Sequence, residues 1–198
     1  MPVSDRHPGF DPVRVGSAEC AAWAAYYRRR WLRVLTGVFG MVHHGFALGP
    51  VRNVVGAWYV LRANQRWAPY PANDPAAARR YMARFYRLAY AAGRVRVDPD
   101  HAATLELAWW RAHRERQRED APAGELEARL VDLYAYVYGV DPESVRPAAR
   151  LRAQAAGLSD AWVDAGCRLD DPTLARERQT LVDSYAALRA ATEDRTPP

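Results

Sequence analysis

Two side chains on one segment, "LELAWWRAHRERQ" at residues 105–117, have the types needed for acid–base chemistry: Glu106 and His113. A carboxylate and an imidazole can take and give protons near neutral pH once burial or neighbours tune them. They lie seven residues apart, two helical turns along one face. That spacing is too long for joint ligation of one metal ion from a straight helix, and the Glu-x-x-His pairs of a di-iron carboxylate site are missing. Neither metal nor cofactor is implied. The chain also has no Gly-rich phosphate loop and no G-x-S-x-G elbow.

The helix around this pair predicts where it points. Ala102, Leu105, Ala108, Trp109 and Ala112 form one apolar arc, and Ala103, Leu107 and Trp110 a second. Glu106, His113 and Gln117 lie in a row between the arcs, so the helix is expected to pack on both sides and hold them partly buried. Other polar residues fall in apolar sectors elsewhere. Arg62 and Gln65 share a sector with Val51, Val54, Val55, Trp58 and Leu61; Arg28 aligns with Leu35 and Phe46; Arg152 aligns with Val145, Ala156 and Val163. Each arginine alone is expected to lay its stem on the core and its head in water. Together, three inward arginines facing one inward carboxylate call for further acids from loops or for an anionic ligand.

The elements that must position these residues are helices. Asp-Pro recurs at 11–12, 74–75, 98–99, 141–142 and 171–172, and the last four precede helical periodicity. Aspartate caps the free N–H groups of a first turn, and proline at the next position has the required φ. With no alternating β-branched runs, the expected fold is all-α: a single-domain helical bundle of about six to seven helices. Seven segments are read, at about 17–46, 50–67, 75–92, 99–118, 125–138, 142–165 and 172–192. Residues 1–16 are expected as an arm, 17–192 as the bundle and 193–198 as a frayed tail. The connection within "LRANQRWAPYPAND", residues 61–74, is read as covering the bundle end, with a lid over a pocket as the functional alternative.

Composition narrows the classes. The chain has 198 residues, 49% hydrophobic and 11% aromatic, enough to fill a sizeable core. Its formal charge is +5 and all 28 basic residues are arginine, a pattern that fits a coding bias as well as selection. "YYRRRWLR" at 26–33 mixes rings with cations, but Arg29 and Arg33 share a solvated face while Trp31 points to the core. Nucleic acid is therefore not the expected partner. His43 lies at the edge of the Phe39–Phe46 stripe and reads more readily as a hydrogen-bonded boundary residue than as a ligand. Cys20 and Cys167 match no metal or redox spacing. The first residues lack the apolar core of a secretion signal, and no run is long enough to span a bilayer. A cytoplasmic location and no membrane partner are the expectations.

Two functions follow. One is a structural or partner-binding protein, such as a homodimer, whose inward polar groups close a network such as Glu106 with Arg62 and His113. The other is a small-molecule site for an anionic ligand. There Arg62, Arg28 and Arg152 would hold a carboxylate or phosphate, Trp58, Trp109 and Trp110 would form the walls, and Gln65 and His43 would add polar contacts. Glu106 and His113 would be its acid–base groups.

Overall fold

The computed structural model describes residues 9–118, 122 and 124–193. Eight helices and no strand occur among them: α1 (Pro12–Tyr27), α2 (Trp31–Phe46), α3 (Pro50–Trp67), α4 (Pro75–Ala91), α5 (Pro99–Gln117), α6 (Glu125–Tyr138), α7 (Pro142–Asp164) and α8 (Pro172–Glu193). No helix is long and apolar enough to cross a membrane. Of the expected arm and tail, residues 1–8 and 194–198 lie outside the described residues, as do 119–121 and 123, whereas Glu193 still belongs to α8.

Every Asp-Pro pair opens a helix. Asp74, Asp98 and Asp141 each accept a bond from a first-turn N–H, at 2.8 Å from Ala77, 2.7 Å from His101 and 2.9 Å from Glu143. Asp11 does the same for Val13 at 3.0 Å, so α1 starts at Pro12 and not at 17. Phe10 and Val15, expected on an arm, are buried in the core. The long helix expected over 17–46 is two helices. The chain turns at Arg28–Arg30, where Arg29 takes a left-handed φ of 55°, and α2 folds back along α1. Gly37 makes that return possible: a Cβ there would sit 2.9 Å from Ala22 backbone and side-chain atoms. Gly16 does the same for α8, where a Cβ would lie 2.7 Å from the Val182 amide nitrogen. Any side chain at either position forces two helices apart.

Each helix packs on its neighbour in sequence from α1 to α8, except that α8 closes back on α1 as well as on α7. On α6, Leu126, Leu130, Leu133, Tyr134 and Val137 are all buried along one stripe. On α3 the inner face differs from expectation. Val51, Val54 and Trp58 are 74%, 59% and 49% exposed, whereas Asn53, Gly56, Ala57, Val60 and Ala63 are buried. Small residues win the inner face because they admit close neighbours. A Cβ on Gly56 would stand 3.3 to 3.5 Å from Val42, Leu48 and Phe85. Helix α7 continues unbroken across Pro147 and Gly157.

Candidate functional site

Inside the helices lies a cavity of about 890 Å³, within the range that holds a drug-sized molecule. Its walls are mainly aromatic and aliphatic. Trp23 and Tyr26 come from α1, Trp67 from α3, Phe85 and Tyr86 from α4, and Trp109 and Trp110 from α5. Of all the lining residues, five are exposed: Arg29, Pro69, Tyr70, Gln117 and Arg118. They mark the mouth, where the α1–α2 turn, the end of α3 and the end of α5 meet. The 61–74 connection thus reaches the cavity, since Ala68, Pro69 and Tyr70 line it. Arg114 ties it down. Its guanidinium lies 4.2 Å from the Trp67 ring centre and 5.2 Å from that of Tyr70, and it donates to the Trp67 carbonyl at 2.8 Å. These partners are rings and a carbonyl, so none supplies a counter-charge.

Glu106 lines the cavity. Tyr86 donates its hydroxyl to Oε2 at 2.8 Å, and the indoles of Trp109 and Trp110 donate to Oε1 at 3.0 and 3.2 Å. The side chain is half-buried and borders the cavity. Burial raises its pKa above the usual carboxylate range, against the pull of Tyr86, Trp109 and Arg152. A carboxyl with a raised pKa can serve as a proton donor.

His113 also lines the cavity, but its partner is neither Glu106 nor Arg62. Its Nε2 meets Asp160 of α7 at 3.0 Å. Arg116 and Gln117 both donate to the same carboxylate at 2.7 Å. Burial works to raise the Asp160 pKa, yet these donors, His113 first, hold it below the ordinary value. A carboxylate fixed in this way orients an imidazole and leaves Nδ1 as the ring nitrogen it does not engage.

Arg152 is buried at 5% exposure, and its counter-charge is Glu19 of α1, itself 4% exposed. Tyr185 donates to Glu19 at 2.6 Å and Trp23 at 3.3 Å. The Arg152 guanidinium also lies 4.9 Å from the Trp109 ring centre and 5.3 Å from that of Trp23. The deepest charge is therefore already neutralised by protein. Glu19 was missed in the sequence, although a signal existed: it is the one acid in "GSAECAAWAAYY", where small apolar residues on all sides leave it no solvent face.

The remaining expected site residues lie elsewhere. Arg62 bonds Gln65 at 2.7 Å and stacks on Trp58 and Tyr81, away from the cavity; Gln65 does reach the lining. Arg28 ends α1 outside the cavity. His43 is exposed, its Nδ1 taking a bond from Asn53 Nδ2 at 2.8 Å, which fits the boundary reading. Among the described residues no group of His, Cys, Asp and Glu could hold a metal ion. Cys20 is buried and its thiol is pushed up to about 12, chiefly by burial, far from a reactive thiolate.

Comparison with known proteins returns no match to a family model, a curated protein or a solved structure.

Proposed function

We propose that the protein is a single-domain, cytoplasmic helical bundle that binds one small, largely apolar molecule in its central cavity. The observation that carries this reading is the aromatic cavity of about 890 Å³ with its mouth at the end of α1, α3 and α5. Protein interiors normally close such space, because unfilled volume forfeits dispersion contacts. The pattern of charge says what the ligand is like. Glu19 neutralises Arg152 inside, so the body of the ligand needs no charge there. At the mouth, Arg29 and Arg114 favour a carboxylate, sulfonate or phosphate at its outer end. The filled network of the structural reading is supported only in part: the inner polar groups do meet protein partners, but the space beside them is open.

Anilinonaphthalene sulfonate, an aromatic body with one anionic group, is a suitable probe. Saturable one-to-one binding is expected, displaced by dodecanoate, and Met41→Trp on the cavity wall should weaken it at least tenfold. Weak, non-saturating fluorescence that Met41→Trp leaves unchanged would sink the reading.

The His113–Asp160 pair favours a second step, proton exchange with the bound molecule. Solvent deuterium should then enter a ligand that carries an acidic C–H. His113→Gln should abolish that exchange while sparing affinity; exchange that persists in the variant would remove His113 from the chemistry.

A further inference from the structure

Charge along the chain is strongly segregated. Residues 20–97 carry 13 of the 28 arginines and one of the 23 acids, Asp74; elsewhere 15 arginines face 22 acids. This span contains α2, α3 and α4, which pack in succession. Their outward stripes meet side by side. On α2 the stripe is Leu32, Thr36, Phe39 and His43; on α3 it is Val51, Val54, Trp58 and Arg62; on α4 it is Arg80, Arg84 and Arg87. His43 reaches Asn53 across the first seam, and Arg62 lies 5.8 Å from the Tyr81 ring centre across the second. Asp100 holds Arg79 at 3.4 Å and Arg87 at 2.5 Å, whereas Arg84 rests on the Tyr81 ring.

The same surface carries most of the large apolar side chains that the fold leaves in water. Leu32 is 82% exposed and sits between Arg30 and Arg33, both exposed, beside the cavity mouth. Val51, Val54, Trp58 and Phe39 continue the series. An array of arginines interleaved with aliphatic and indole side chains matches the interface of an anionic bilayer: guanidinium meets lipid phosphate, and the apolar groups enter the headgroup boundary. Nucleic acid fits less well, because it would satisfy the arginines but leave Leu32, Val51 and Val54 against phosphate and water.

We propose that the outer face of α2–α4 docks the protein on anionic phospholipid membranes, with the cavity mouth next to the bilayer surface. This surface rests on charge and exposure, and it does not depend on the cavity being filled. The protein lies on the membrane and does not cross it.

The test is co-flotation of the full chain with phosphatidylcholine vesicles, with and without 30% phosphatidylserine. Binding is expected only to the anionic vesicles and should fall as salt rises. Each of Arg80→Gln and Arg84→Gln should weaken it about fivefold. Leu32→Ser together with Val54→Ser should weaken it at least as much as either, whereas Arg178→Gln on α8 should leave it unchanged. All these side chains are exposed, and circular dichroism checks that each variant folds. Equal binding to neutral vesicles would overturn the proposal. So would insensitivity to the Leu32 and Val54 changes, or binding of duplex DNA by protein that ignores both kinds of vesicle.

Discussion

Arg152→Ala should lower folding stability by about 3–5 kcal/mol, because it strips a buried carboxylate of its counter-charge. The pair joins α7 to α1 with both partners almost fully buried. Burial alone would depress the arginine pKa, yet Glu19 and the surrounding tyrosines hold it above its ordinary value, so the cation persists. Without it, Glu19 keeps only the Tyr185 hydroxyl and the Trp23 indole, neither of which carries charge. Removing both charges tells a different story. Glu19→Leu with Arg152→Met should recover most of the loss, since an apolar pair of similar size has no desolvation to repay. Guanidinium denaturation of the two single variants and the double variant measures the coupling. A double variant as unstable as the sum of the singles would show that the ion pair is not what these residues contribute.

Glu177→Gln should stabilise the protein in alkaline solution and leave it little changed near pH 4. The side chain is 2% exposed on α8, and the buried hydroxyl of Ser159 faces its carboxyl without closing a well-formed hydrogen bond. Burial pushes the carboxyl up to about 8, with Arg152 acting against the shift and Glu19 and Asp160 adding to it. The folded pKa thus lies above the unfolded value of about 4.5. Between those limits the folded chain holds a proton that the unfolded chain has released, so stability falls as pH rises from about 4.5 to 8 and levels off beyond. The full loss is on the order of 5 kcal/mol. Glutamine mimics the protonated form and removes the slope. Urea denaturation of both proteins from pH 4 to 9 isolates the effect as their difference, and two parallel curves would mean that Glu177 titrates as an ordinary acid.

What could be read from the sequence depended on whether the signal was local. Capping is local, and four Asp-Pro pairs marked their helices to within a residue. The fifth, Asp11-Pro12, is followed by "VRVGSAE", which mixes β-branched residues with glycine and reads as weak helix although α1 starts there. The break at Arg28–Arg30 carries no glycine or proline. It arises because Gly37 lets α2 pack flush on Ala22, a contact between residues far apart in sequence. The inner face of α3 is hidden from the sequence for a related reason: hydrophobicity points to Val51, Val54 and Trp58, while fit selects Gly56, Ala57 and Ala63. The row of Glu106 and His113 between two apolar arcs was legible, and both do line the cavity. Their partners were not. Tyr86 and Asp160 come from α4 and α7, and which side chains meet across helices is settled by packing that periodicity does not encode.

The central chamber also has a mechanical side. A folded chain that encloses unfilled space occupies more volume than its atoms need, and water reclaims that space when the helices separate. Hydrostatic compression therefore works against this fold, and more strongly while nothing occupies the interior. A guest that fills the chamber makes the molecule stiffer without adding a single covalent constraint.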